Sequence, residues 1–122
     1  MRILLDECLP RQLAEELAEH EVVTVQKAGW SGAKNGQLLK KISGRFAVFL
    51  TIDKRIEREQ KIPADVAVIT VRARSNRIQD LRPLAPELRR TVKEAKPGKS
   101  TSVGRITLMR TPRVKRQNPP QR

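Results

Sequence analysis

Four short apolar runs, interleaved with segments of helical spacing, constrain this chain more than any other feature. Ile3-Leu4-Leu5, Val22-Val23-Thr24-Val25, Phe46 to Thr51 and Val66 to Val71 are apolar almost throughout. Such runs suit strands buried on both faces, as in a parallel sheet. After the first run, Leu9, Leu13 and Leu17 recur with Ala14 and Ala18 at helical spacing, and Pro10 fits that helix's first turn. After the second, Gly29 to Gly32 reads as a loop and Asn35 as a helix cap. Leu38, Leu39 and Ile42 form that helix's inner face, and Gly44 ends it. After the fourth, Asn76 reads as the cap of a helix through Ile78, Leu81, Ala85, Leu88 and Val92. Pro83 and Pro86 break that helix in two, and Lys96-Pro97-Gly98 stops it. Val103 to Met109 reads as a weaker fifth strand at a sheet edge.

Strands alternating with helices predict an α/β fold: a mostly parallel sheet of four to five strands covered on both faces, a three-layer sandwich. With right-handed crossovers the simplest strand order is 2-1-3-4-5. Its switch point lies between strands one and three, and ligands bind there, beyond the carboxyl ends of the strands.

The chain has 122 residues, a length that suits one domain. Its 26 Lys and Arg against 13 Asp and Glu leave a net charge of +13 and point to a polyanion, foremost nucleic acid. From Lys93 to Arg122 there are nine bases and one acid, a net +8. The expected organisation is a folded domain over 1–110 and a flexible basic tail over 111–122, where Arg113, Lys115 and Arg116 would contact phosphates; a solvated tail without a role fits the same composition. No apolar run reaches the roughly 18–20 residues of a membrane span. The start, with two acids after three apolar residues, does not read as a signal peptide. Cys8 is the single cysteine, so no intrachain disulfide or cysteine-cluster zinc site can form. The expectation is a cytoplasmic protein.

Asp6-Glu7 directly follow the first strand, and Asp53 follows the third in Thr51-Ile52-Asp53. Neighbouring strands lie about 4.8 Å apart, so Asp6 and Asp53 would converge at the switch point. Carboxylates brought this close repel unless a cation or proton intervenes, and an all-oxygen site suits Mg²⁺ or Mn²⁺. Glu7 is a further acid whose side chain can point elsewhere, and Asp6-Glu7 equally suit the start of the following helix. Lys54, Arg55 and Arg58 follow strand three, and Arg72, Arg74 and Arg77 follow strand four around Ser75 and Asn76. A carboxylate–metal spot rimmed by bases suits a phosphodiester, although a solvated charged rim gives the same pattern. Ser75 and Asn76 are either a helix cap or polar groups facing the metal. His20 reads as a surface residue, and Trp30 as a loop anchor rather than a base-stacking platform.

Ile3-Leu-Leu-Asp-Glu-Cys-Leu-Pro10, Glu21-Val-Val-Thr-Val25, Ala28-Gly-Trp30, Lys34-Asn-Gly-Gln-Leu-Leu39, Leu50-Thr-Ile-Asp53 and Val71-Arg-Ala-Arg-Ser-Asn-Arg77 resemble the small PIN-like domains related to VapC-type toxin ribonucleases. The similarity covers roughly residues 1–98. It implies a Rossmann-like PIN fold and a metal-dependent endoribonuclease acting on single strands, often encoded beside a small antitoxin. It implies that Asp6 is the first catalytic acid, Asp53 the acid of the Thr-x-Asp motif, and Ser75 or Asn76 the polar group after the next strand. One departure stands out: where such domains place a carboxylate on the second helix, this chain has Asn35 and Gln37. The expected roles follow. Asp6 and Asp53 hold Mg²⁺ or Mn²⁺, Asn35 or Ser75/Asn76 positions water, and Arg74 or Arg77 neutralises the phosphate. RNA, or DNA, is the expected partner, with a small antitoxin and a homodimer as further expectations. The alternatives are a weakly catalytic or inactive nucleic-acid-binding domain, and a receiver-like phosphorylation switch.

Overall fold

Parallel pairing places four apolar runs side by side and adds a fifth strand at one edge. In the computed structural model, which describes residues 2–56 and 61–104, the strands are β1 (Arg2–Leu5), β2 (Glu21–Thr24), β3 (Val48–Thr51), β4 (Ala67–Arg72) and β5 (Ser100–Gly104). All pairings are parallel and the order is β2-β1-β3-β4-β5, as the alternation of elements predicts. The fifth strand starts three residues before the expected Val103. Arg58, the rest of the expected fifth strand and the expected tail with Arg113, Lys115 and Arg116 lie outside the described residues.

Each strand sends alternate side chains to opposite faces, and the two faces build separate cores. On one, Ile3, Leu5, Leu50 and Ile69 pack against Leu13 and Leu17 and against Leu88 and Val92. On the other, Leu4, Phe49 and Val68 pack against Leu38, Leu39 and Ile42. The covering helices are α1 (Asn35–Ile42), α2 (Ile78–Leu81) and α3 (Ala85–Glu94). Pro83 falls in a 3-10 turn (Arg82–Leu84) between α2 and α3, and Pro86 in the first turn of α3, so the prolines divide the helix as expected.

The first crossover departs from its helical expectation. Arg11–Leu17 is a 3-10 helix, and Pro10 stands before it as an extended cap. Seven residues at about 2.0 Å rise span about 14 Å, close to the about 13 Å of a four-residue strand. The tighter helix therefore crosses the sheet with fewer residues than an α-helix needs. Leu13 and Leu17 are both fully buried in the core of that face. His20, expected at the surface, is half-buried beside this turn.

Gly104 shows how closely β5 meets the fold. Its φ is +98°, and a Cβ there would meet the Arg72 carbonyl oxygen. Gly104→Ala is expected to destabilise the protein by about 1–3 kcal/mol, read as a lower urea midpoint. An unchanged midpoint would show that β5 adapts.

Candidate active site

Asp6 is placed by the end of β1. Its backbone N–H donates to the Leu50 carbonyl at 3.0 Å, which fixes the residue against β3. The carboxylate is only 9% exposed. One oxygen accepts the Glu7 N–H at 2.8 Å; the other accepts the Thr51 hydroxyl at 2.6 Å and the Cys8 thiol at 3.4 Å. All three donors are neutral, and no Lys, Arg or His reaches Asp6 among the described residues. A carboxylate this buried without a counter-charge is an unbalanced charge, and buried charges are normally paired or bind metal.

Thr51 joins the two acids. It is fully buried, and its hydroxyl oxygen also accepts the Asp53 N–H at 3.1 Å. Strand alternation puts Thr51 and Asp53 on the same side of β3 and its extension. The Thr-x-Asp spacing thus makes Thr51 a positioning residue, a role that the sequence reading left unassigned although the spacing was legible.

Asp53 is held differently. One carboxylate oxygen accepts the Arg55 backbone N–H and its Nε, both at 3.0 Å; the other accepts Arg55 Nη2 at 2.9 Å and Asn35 Nδ2 at 3.2 Å. The Arg55 side-chain hydrogen bonds are the main reason that the Asp53 carboxyl is lowered from 3.8 to about 2. A carboxyl lowered this way stabilises the fold above its ordinary value, and that stability is lost as pH falls through about 2. Replacing Arg55 by Ala is expected to move the Asp53 midpoint, followed by carbon-13 NMR of the carboxyl, back toward 3.8. A midpoint still near 2 would assign the shift to Asn35 and the backbone instead.

Asn35 does not cap its helix. Lys34 occupies the cap position without a side-chain bond, and Asn35, the first helical residue, reaches across to Asp53. The helix start is therefore tied to the site where a second-helix carboxylate is missing.

The remaining candidates are dispersed. Glu7 turns away, its carboxylate accepting the Gly32 N–H at 3.1 Å. Ser75 donates to Asp80 at 2.6 Å and accepts the Arg77 N–H, which organises the start of α2 rather than facing Asp6. Asn76 is not the helix cap; Arg77 is, and Asn76 Nδ2 donates to the Cys8 carbonyl at 2.9 Å. That bond ties the loop after β4 to the loop after β1. Arg72 lies over β5, its Nε donating to Ser102 at 3.1 Å. Lys54, Arg74 and Arg77 are exposed after β3 and β4. Burial pushes the Cys8 thiol up from its ordinary value, and its Sγ donates to Asp6.

The donor set fits a hard divalent cation. Magnesium is commonly bound by one or two carboxylates, with waters and substrate phosphate completing its shell. Asp6 and Asp53 supply two carboxylates that follow the paired strands β1 and β3. No cluster of three His, Cys, Asp or Glu that could hold a metal is present among the described residues.

A family model described as a PIN like domain matches residues 1–70. The chain belongs to the PIN-like domain family. The match runs from β1 into β4 and includes Asp6, Asn35, Thr51 and Asp53 but not Ser75 or Asn76. No curated protein and no solved structure matches the chain significantly. Among the described residues, no helix is long and apolar enough to cross a membrane.

Proposed function

We propose that this PIN-like protein is a metal-dependent endoribonuclease acting on single-stranded RNA, with its centre at Asp6 and Asp53. The buried Asp6 carboxylate, satisfied only by neutral donors, carries this reading. Asp6 and Asp53 would hold Mg²⁺ or Mn²⁺, which when bound activates water and polarises phosphate. Thr51 keeps the Asp6 carboxylate aimed at the strand edge. Asn35 holds Asp53 and, released from it, orients water through its amide. Lys54, Arg74 and Arg77 neutralise the phosphates on either side of the scissile bond. Glu7, Ser75 and Asn76 shape the surrounding loops rather than take part in the chemistry. The basic residues 111–122 add non-specific affinity for RNA. The toxin role, with a small antitoxin from a neighbouring gene, belongs to the same proposal and rests on the resemblance to VapC-type ribonucleases.

A second reading, a nucleic-acid-binding domain without catalysis, draws support from Asn35 standing where a carboxylate is usual. Incubating end-labelled single-stranded RNA with the protein and Mn²⁺ separates the two. Cleavage that EDTA abolishes is expected. RNA binding with no cleavage at any Mn²⁺ or Mg²⁺ concentration would establish the second reading. Family membership favours both over a receiver-like switch.

A further inference from the structure

The α1 side of the sheet is rich in cations; Asp65 also reaches it, its carboxylate accepting the Ser43 hydroxyl and the Gly44 N–H just past α1. Between Glu21 and Asp53 the chain carries five bases, Lys27, Lys34, Lys40, Lys41 and Arg45, and no acid. This stretch builds the α1 side. On the opposite side Glu16 holds Arg82 at 3.1 Å and Arg89 at 3.5 Å. No carboxylate pairs with Lys34, Lys40, Lys41 or Arg45 among the described residues.

Leu38, Leu39 and Ile42 turn inward, which leaves Lys40 and Lys41 on the outer face of α1. At the far end of α1 stands Trp30, half-buried and fixed edge-on against Phe46, with ring centroids 5.9 Å apart. Lys41 Nζ and Arg45 Cζ lie 6.0 and 5.8 Å from the Trp30 ring centroid. Arg2 stacks over Phe46 at 4.5 Å and donates to the Arg45 carbonyl at 2.9 Å, which holds this corner rigid. At the near end, Lys34 adjoins Asn35, whose side chain is bonded to Asp53. Cations thus stand at both ends of α1, Lys34 beside the candidate site and Lys41 with Arg45 beside an aromatic ring.

We propose that this face is a binding track for single-stranded RNA, along which the strand runs from the Asp6–Asp53 edge over Lys34, Lys40 and Lys41 to Trp30 and Arg45. The proposal rests on the ribonuclease reading and extends it to the flanking nucleotides. Unpaired cations take successive phosphates, and the aromatic face beside Arg45 takes a base, the combination used for single strands without sequence readout. An acidic protein segment would use the cations but gains nothing from stacking on the ring.

Trp30 is the only tryptophan, so its emission reports this corner alone. The full-length protein is titrated with a 2′-O-methyl oligouridylate, which binds but is not cleaved, and followed by anisotropy and Trp30 emission. Saturation is expected to quench Trp30. Lys40→Glu/Lys41→Glu is expected to weaken binding about tenfold and to make the log affinity–log salt slope shallower by about 1.4 or more. Lys93→Glu/Lys96→Glu, an equal charge change on the other side of the sheet, is expected to weaken it less than about threefold. Equal losses in the two variants, or unaltered Trp30 emission at saturation, would overturn the track. Polyglutamate quenching Trp30 as strongly as RNA would also overturn it, in favour of an acidic protein partner. If Trp30 responds as expected but labelled RNA is never cleaved with Mn²⁺, the track stands and the ribonuclease reading fails. If RNA is cleaved and Lys40→Glu/Lys41→Glu cleaves it with an unchanged KM, the track fails and the ribonuclease reading stands.

Discussion

Asp6→Asn is expected to lower metal-dependent RNA cleavage by at least about 10²-fold, because it removes a carboxylate from the pair that holds the ion. The substitution is nearly isosteric. Its amide oxygen still accepts the Glu7 N–H, and its amide nitrogen can donate to Thr51, whose hydroxyl rotates to accept. The lost quantity is therefore charge and not shape. Stability should move the other way. In the metal-free protein the Asp6 charge is buried among neutral donors, so neutralising it should leave Tm unchanged or higher. Saturating Mn²⁺ at about a hundred times its Kd should stabilise the parent by about 2.7 kcal/mol, and this gain should vanish in Asp6→Asn. Asp53→Asn should lose activity as well, but it also frees Arg55 from its bidentate pair. Asp6→Asn is thus the cleaner test. Parent-like cleavage together with a parent-like Mn²⁺ shift would remove Asp6 from the centre.

Phe49→Ala should produce the largest loss of stability, about 3–5 kcal/mol, against the about 5–15 kcal/mol that holds a typical domain. Phe49 is fully buried in the middle of β3, between Leu4 and Val68 on its neighbours and beneath α1. Its core neighbours Leu38, Leu39 and Ile42 are themselves buried and anchored on α1, so the cavity is expected to collapse only in part. Phe49 and Thr51 point to the same face, and a shift of β3 would displace the hydroxyl that aligns Asp6 with Asp53. Urea unfolding gives the readout. A loss under about 1 kcal/mol would mean that the α1 side of the core repacks freely.

Much of the framework was legible because burial on both faces leaves a plain trace. Continuous apolar runs marked β1 to β4, and their alternation with helical spacing led to the strand order, in which Asp6 and Asp53 follow neighbouring strands. Other features carry no such trace. The 3-10 form of Arg11–Leu17 depends on the length of sheet it must cross, which no local pattern states. Asn35 looked like a helix cap because its preference for that position is local, yet Asp53, 18 residues away in sequence, outcompetes the helix end for its side chain. Ser75 and Asn76 look alike as polar loop residues; only packing directs one to Asp80 and the other to the Cys8 carbonyl.

By itself, then, the sequence determined the sheet and its order, since strand burial and strand ends are written in periodicity. Tertiary structure alone decided which donors surround each acid: neutral groups at buried Asp6, and the Arg55 guanidinium at Asp53. It also decided that Lys41 and Arg45 stand beside the Trp30 ring. Charge balance at a site depends on distances between residues remote in the chain, and those distances exist only after the chain has folded.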